Sequence, residues 1–177
     1  MVQEIKIIGA GLAGSEAAYQ LANAGLKVKL YEAKKVFKNA VQKLDGFAEL
    51  VCSNTLRSLS TTNAVGILKK EMAQFNSLIL EAALATRIPS DDALAVDRQQ
   101  FSNYITNVLQ NHPNIEIFNE EITQLQEQDE LTLVASGPLT TENLALEIQR
   151  LLEKIWGGTK LKELGFQIPA TKKIGEA

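Results

Sequence analysis

The 177-residue sequence contains only one cysteine, Cys52, and only one histidine, His112. This scarcity excludes a disulfide framework and a zinc site built from cysteine and histidine. It also limits any Ser-His or Cys-His catalytic pair to His112. Because an unpaired cysteine is typical of a reducing compartment, we expect a cytoplasmic protein.

Neither an excess of one charge nor a long apolar run is present. The 18 Lys and Arg residues stand against 21 Asp and Glu residues, so the strongly basic field of many nucleic-acid-binding domains is absent. Bulk charge does not decide whether a local RNA-binding surface exists. The smoothest apolar stretch, residues 7–26, is interrupted by Glu16, Gln20 and Asn23. A membrane span needs about 20 apolar residues, so we expect none.

The sequence does contain an alternation of strand and helix patterns. Residues 4–8 and 28–31 predict strands on either side of a helix over residues 13–24. This order predicts the beginning of a parallel α/β sheet. Residues 33–57 lack periodicity and predict a long functional loop, and helical spacing returns between residues 62 and 110. The remaining patterns predict strands at residues 115–118, 122–125 and 131–135 and an amphipathic helix at residues 144–155.

A glycine-rich turn separates the first strand from the first helix. Its sequence, Gly9-Ala10-Gly11-Leu12-Ala13-Gly14, matches the G-x-G-x-x-G pattern of dinucleotide-binding proteins. The first glycine permits the tight turn, the second lets the backbone approach a pyrophosphate, and the third allows close packing of the helix. The unpaired N–H groups at the helix start, with a partial charge of about +0.5, favour the anion. These six residues therefore predict a dinucleotide-binding turn.

Glu32 ends the second strand, 18 residues after Gly14. In dinucleotide-binding folds a carboxylate about 20 residues after the turn accepts hydrogen bonds from the ribose hydroxyls. A carboxylate at this position repels a 2′-phosphate, so the pattern favours FAD or NAD over NADP. The alternative interpretation is a glycine-rich turn without a ligand and a surface glutamate.

Several segments resemble the folate- and FAD-dependent tRNA (uracil-5-)-methyltransferase family. They are residues 8–18 with Glu32, and residues 47–58, 62–72, 93–98 and 135–140. The resemblance covers roughly residues 1–146. The segment around Cys52, Phe-Ala-Glu-Leu-Val-Cys-Ser-Asn-Thr-Leu-Arg-Ser, is the most specific part, because a dinucleotide-binding turn occurs in many flavoproteins and this run does not.

The resemblance implies an α/β fold: an incomplete, three-layer, FAD-binding Rossmann-like domain in residues 1–155, followed by a divergent, loosely ordered tail in residues 156–177. It also implies an enzyme that takes a methylene group from methylenetetrahydrofolate and reduces it with FAD and NAD(P)H. The methyl group would pass to carbon five of a T-loop uridine in tRNA. Cys52 would be the catalytic residue, and the cofactor would contact Gly9, Ala10, Gly11, Leu12, Ala13, Gly14, Glu32, Arg57 and Arg98.

The sequence also departs from that family. Its members are more than twice as long, and their second functional cysteine and second flavin-contacting segment lie in a part that this sequence does not contain. Because Cys52 is alone, we expect two-thiol chemistry to need a partner chain that completes the FAD site. Two alternatives remain open: a non-catalytic dinucleotide-binding module that acts with a partner chain, and a small NAD-dependent reductase.

The basic residues near Cys52 have two interpretations. Arg57 and Arg98 either pair with phosphate or carboxylate groups or have surface and capping roles. The lysines of the long loop predict either a contact with RNA phosphates or a solvated loop; they are Lys34, Lys35, Lys38 and Lys43.

Overall fold

The computed structural model describes residues 4–125 and 131–156. The predicted tail lies outside the described residues, apart from its first residue at the end of the last helix. In chain order the elements are β1 (Glu4–Ile8), α1 (Leu12–Asn23), β2 (Lys27–Tyr31), β3 (Thr55–Ser58), α2 (Ala64–Gln74), α3 (Leu78–Ala85), β4 (Arg87–Ile88), β5 (Ala93–Val96), α4 (Arg98–Gln110), β6 (Ile115–Phe118), β7 (Leu131–Val134), a short 3₁₀ helix (Gly137–Leu139) and α5 (Glu142–Trp156).

A four-stranded parallel sheet forms the centre of the fold. Its strand order is β6-β2-β1-β7, and each neighbouring pair runs in parallel. Ile7 of β1 is paired with Leu30 of β2. Their side chains therefore point to the same face of the sheet, where both are fully buried. Helices α1 and α4 lie against the sheet. The predicted α/β class with a parallel sheet is confirmed, and the carboxyl end of β1 leads directly into the glycine-rich turn.

A second, smaller sheet is antiparallel and has the order β3-β5-β4. Its strands contain only two to four residues each. Alternation over so few residues gives no usable periodic signal, which is why the sequence did not predict this sheet. Strand β3 occupies the end of the segment that was predicted to be a loop, and it places the Cys52 segment next to β5.

The helical pattern between residues 62 and 110 corresponds to three helices, each started by a side-chain cap. The side chains of Asn63, Ser77 and Asp97 each accept one hydrogen bond, from the backbone N–H of the residue three positions later in the chain. Asn76 adopts a positive φ of 52° between α2 and α3, a conformation that asparagine tolerates better than most residues. This turn divides one apolar stretch into two helices.

The strand predicted at residues 122–125 is wrong, because the structure has no strand there. The N–H of Leu125 donates instead to a carboxylate oxygen of Glu147 on α5, at 3.1 Å. A side chain of a helix thus takes the place of a neighbouring strand as hydrogen-bond acceptor. The strand predicted at residues 131–135 is confirmed as β7.

The described residues fall into two compact units. The first contains residues 4–121 and 131–137, and the second contains residues 122–125 and 138–156. The boundaries predicted for the cofactor domain and the tail remain predictions. Within the described part of the chain, no helix has the length and apolar character that crossing a bilayer requires.

Candidate dinucleotide-binding site

Gly9 forms the turn at the end of β1. Its φ is +100°, in the left-handed region that favours glycine, and its N–H donates to the carbonyl of Tyr31 at 2.8 Å. A Cβ at this position would lie 2.7 Å from the Cα of Ser136 and 2.8 Å from the carbonyl oxygen of Ala135. The turn therefore needs glycine both for its conformation and for the close approach of residues 135–136.

Gly14 lies in the first turn of α1 and is buried. A Cβ there would overlap the carbonyl oxygen of Gly9 and would lie 3.3 Å from the Cβ of Ala135. No flexible side chain could move away to make room, because the overlapping atom belongs to the backbone. This geometry agrees with the packing role predicted for the third glycine.

Gly11 has a different environment from the other two glycines. It is the N-cap residue of α1, with φ of −72°, and no side chain caps the helix. A Cβ at Gly11 would have no heavy atom within 4 Å, and Gly11, Leu12 and Ala13 are all exposed. Open space in front of a helix N-terminus fits a diphosphate, whose charge is favoured by the helix dipole. The residues present therefore fit the group that the turn predicts.

Glu32 lies beside this turn. One carboxylate oxygen accepts a hydrogen bond from the N–H of Ala10 at 2.7 Å, and the other accepts from the N–H of Lys34 at 2.9 Å. A carboxylate has about four acceptor positions, so two bonds leave capacity for the hydroxyls of a ribose. The structure thus places Glu32 next to the predicted dinucleotide-binding turn.

The thiol of Cys52 is exposed, and the chain is anchored just after it. The side-chain amide of Asn54 donates to the carbonyl of Val96 at 3.2 Å, and the N–H of Val96 donates to the carbonyl of Asn54 at 2.9 Å. The guanidinium of Arg98, at the start of α4, donates to the carbonyl of Cys52 at 3.5 Å. The structure therefore brings together two predicted site residues, Cys52 and Arg98.

Arg57 lies on β3 and is exposed. Its φ of 64° is unusual for a residue with a side chain. The ammonium of Lys69 donates to the carbonyl of Ser58 at 3.2 Å. Burial lowers the pKa of Lys69, and the nearby charge of Arg57 lowers this pKa further. Two cationic side chains, Arg57 and Lys69, therefore lie near each other, and no sequence pattern indicated Lys69.

The lysines of the long loop do not form one surface. Lys34 is buried, and its ammonium donates to the carbonyl of Gly46 at 2.6 Å and to the carboxylate of Glu49 at 3.1 Å. Lys38 pairs with Asp45 at 2.7 Å and is exposed. A solvated loop therefore describes Lys38, whereas Lys34 has an interior role that no sequence pattern indicated.

Residues 46–49 are held from several directions. The N–H of Phe47 donates to the hydroxyl of Thr106 at 2.8 Å, and the hydroxyl of Ser102 donates to the carbonyl of Phe47 at 2.6 Å. The N–H of Ala48 donates to the carbonyl of Ala10 at 2.8 Å. These bonds connect the Cys52 segment to the dinucleotide-binding turn and to α4.

Ala48 carries backbone strain at this junction. Its φ is +49°, and its side chain is almost fully buried. For a residue with a Cβ, the left-handed conformation is unfavourable by about 1–2 kcal/mol of conformational energy. Such a conformation persists only when the surrounding contacts fix it.

The carboxyl of Glu49 is ionised more easily than usual. Burial raises its pKa, but hydrogen bonds from the N–H groups of Lys43 and Leu44 and from the ammonium of Lys34 outweigh burial and hold the pKa below 4.5. The side chains of both Glu49 and Lys34 are almost fully buried. The two residues form a buried ion pair whose acidic member is further stabilised by backbone donors.

Comparison with known proteins identifies similar chains. The model of the glucose inhibited division protein A family matches residues 4–148. The methylenetetrahydrofolate–tRNA-(uracil-5-)-methyltransferase TrmFO 2 of Mycoplasma mycoides subsp. mycoides is 54% identical over 154 residues, which are 87% of this chain and 35% of the relative. The corresponding enzyme of Staphylococcus haemolyticus is 56% identical over 148 residues, 84% of this chain and 34% of the relative.

A third relative extends the similarity toward the end of the chain. TrmFO 1 of Mesoplasma florum is 51% identical over 173 residues, which are 98% of this chain and 38% of the relative. This alignment includes residues beyond 156, which the motifs alone left unmatched. The chain spans about a third of the length of the curated relatives that it matches.

Proposed function

Because this chain belongs to the glucose inhibited division protein A family, we propose that it binds FAD through the turn Gly9–Gly14 and Glu32. The observation that supports this most directly is the open space at Gly11 in front of an uncapped helix. The backbone N–H groups of residues 11–13 would hold the diphosphate, and Glu32 would accept from the ribose. FAD would supply hydride chemistry when bound.

We further propose that the chain serves transfer of a one-carbon unit from methylenetetrahydrofolate to a uridine of tRNA, with NAD(P)H as the reductant. The names of the relatives support this reaction. Cys52 is the proposed catalytic thiol, because its side chain is exposed and Arg98 lies beside its carbonyl. Arg57 and Arg98 are the proposed anion contacts. The proposed location is the cytoplasm, in keeping with a single unpaired cysteine.

A second candidate is a dinucleotide-binding module that acts with a partner chain. Among the strands of the described residues, β7 lies at one edge of the four-stranded sheet, and Leu131, Leu133 and Val134 are exposed on it. An apolar strand at a sheet edge favours association with another chain. On this proposal the partner would complete the FAD site and would supply the second thiol.

The experiment that tests FAD binding uses the purified 177-residue chain. Its visible absorption is recorded with and without added FAD, and Gly11→Ala serves as the matched variant. We expect stoichiometric bound flavin in the wild type and loss of flavin in the variant. A colourless wild-type chain that is indifferent to FAD contradicts self-sufficient binding.

Methyl transfer is tested separately on the flavin-loaded chain. The assay supplies methylenetetrahydrofolate, NAD(P)H and a tRNA with an unmodified T-loop uridine, and Cys52→Ala is the control. Transfer that depends on Cys52 supports the enzyme. Flavin binding without transfer, together with association in a size measurement with a longer relative, favours the module.

A further inference from the structure

We propose that Lys34 is a positioning residue that couples the dinucleotide-binding turn to the Cys52 segment through its buried contacts with Gly46 and Glu49. The inference rests on the proposed FAD site and adds a residue that makes no predicted contact with the nucleotide. It is independent of the chemistry assigned to Cys52.

The first observation is the cost of the arrangement. The side chains of Lys34 and Glu49 are 4% and 6% exposed. Removing two charges from water is costly, and a buried ion pair often stabilises a protein no more than apolar residues of similar size would. General stability is therefore a weak explanation for this pair. A role in fixing one arrangement of the surrounding backbone is the more specific one.

The second observation is a closed ring of contacts through Ala10. Glu32 accepts from the N–H of Ala10 and also from the N–H of Lys34. The side chain of Lys34 then binds the carbonyl of Gly46 and the carboxylate of Glu49. Between these two residues, the N–H of Ala48 donates to the carbonyl of Ala10. Both polar groups of the Ala10 backbone are thus bound by elements that Lys34 connects. The carbonyl of Ala10 also accepts from the hydroxyl of Ser15 on α1 at 3.1 Å.

The third observation is the strained conformation of Ala48. Its φ is positive while its N–H donates to Ala10, and flanking contacts must hold this conformation in place. Lys34 supplies a contact on each side of Ala48, at Gly46 and at Glu49. Without Lys34, the bond from Ala48 to Ala10 should weaken, and with it the connection between the Cys52 segment and the turn before α1.

Lys34→Met removes the charge and keeps most of the side-chain volume. We expect its dissociation constant for ADP to rise about tenfold, equivalent to about 1.4 kcal/mol. Lys34→Arg should restore most of the affinity. Lys38→Met is the matched control: Lys38 lies in the same loop in an exposed pair with Asp45, and its loss should leave the affinity unchanged.

Lys34→Met leaves Glu49 buried without its cation, so a second variant removes both charges. In Lys34→Met with Glu49→Gln, the amide oxygen can still accept from the N–H groups of Lys43 and Leu44, which now bind the carboxylate. Removing both members of a buried pair is far less destabilising than removing one. We expect this double variant to fold and still to bind ADP about tenfold more weakly than the wild type.

Amide hydrogen exchange gives a readout that does not depend on a nucleotide. In Lys34→Met the amides of Ala10 and Ala48 should exchange about tenfold faster, whereas the amide of Ile105 in the core of α4 should not change. A merely structural loss would accelerate all three amides together. Unchanged exchange at Ala10 and Ala48 overturns the proposal.

The two proposals fail in different ways. If the wild type binds ADP and Lys34→Met binds it equally well, the positioning role is refuted and the proposed function survives. If the wild type does not bind ADP or FAD, the proposed function of this chain is refuted. In that case the exchange rates of the Ala10 and Ala48 amides still test whether Lys34 positions the turn.

Discussion

Two of the glycines in the turn differ in their surroundings, and alanine substitutions should separate folding from nucleotide binding. At Gly14 the added methyl would overlap the backbone oxygen of Gly9. Overpacking of this kind destabilises a protein by about 1–3 kcal/mol. We expect Gly14→Ala at the upper end of this range, because the overlapping atom belongs to the backbone and cannot easily move. With a urea m-value of about 2 kcal/mol/M, a loss of about 3 kcal/mol lowers the unfolding midpoint by about 1.5 M.

Gly11→Ala should behave in the opposite way. The added methyl meets no heavy atom within 4 Å, and the φ of −72° suits alanine. Alanine is a poorer N-cap than glycine by about 1 kcal/mol. The smaller entropy of the unfolded chain offsets about half of that cost. We therefore expect a midpoint within about 0.5 M of the wild type. The same methyl would occupy the space proposed for the diphosphate, so the affinity for ADP should fall at least about tenfold.

The assay combines urea unfolding without nucleotide, followed by far-ultraviolet circular dichroism, with calorimetric titration of ADP. Gly14→Ala should lose stability, whereas Gly11→Ala should lose only binding. If Gly11→Ala binds ADP as the wild type does, the diphosphate does not approach the backbone at this residue. If Gly14→Ala unfolds at the wild-type midpoint, the packing of α1 against the turn is looser than the structure shows.

Three further predictions concern substitutions of single residues. Gly9→Ala should destabilise the chain more than Gly25→Ala. Both glycines have positive φ, but only a Cβ at Gly9 would meet neighbouring backbone atoms. The urea midpoints of the two variants test this difference. Because the pKa of Glu49 in the folded chain lies below 4.5, its ionised form stabilises the fold above that pH, and this stabilisation is lost as the pH falls below 4.5. The difference in urea midpoint between wild type and Glu49→Gln should therefore shrink as the pH is lowered from about 6 to well below the ordinary range of a carboxyl group; a constant difference would contradict this assignment. Cys52, as an exposed thiol, should react with one equivalent of a thiol reagent without denaturant, and Cys52→Ala should change the unfolding free energy by less than about 0.5 kcal/mol. A thiol that reacts only after unfolding would show that Cys52 is buried in solution.

The parts of the fold that could be predicted are those with local signals. The turn Gly9–Gly14 acts on backbone groups within a few residues, so its residue types reveal its role directly. The parallel sheet followed from the order of strand and helix patterns, which connection rules restrict to few arrangements.

The remainder depends on contacts between distant residues. The strand predicted at residues 122–125 fails because Glu147, 22 residues beyond Leu125, accepts its N–H. The burial of Lys34 depends on a carboxylate 15 residues away, in a segment without periodicity. Nothing in the local sequence distinguishes Lys34 from the exposed Lys38.

The candidate site is built mainly from backbone groups. Ala10 contributes its N–H to Glu32 and its carbonyl to Ala48, and its methyl group only has to fit a buried position. The carbonyl of Ala10 also accepts from the hydroxyl of Ser15. The residue type of Ala10 therefore reveals nothing of these connections, although both the dinucleotide-binding turn and the Cys52 segment depend on them. A sequence pattern can identify where a nucleotide binds, because glycine is required there. The residues that hold such a turn in place emerge only when the hydrogen bonds of its backbone are traced to their partners.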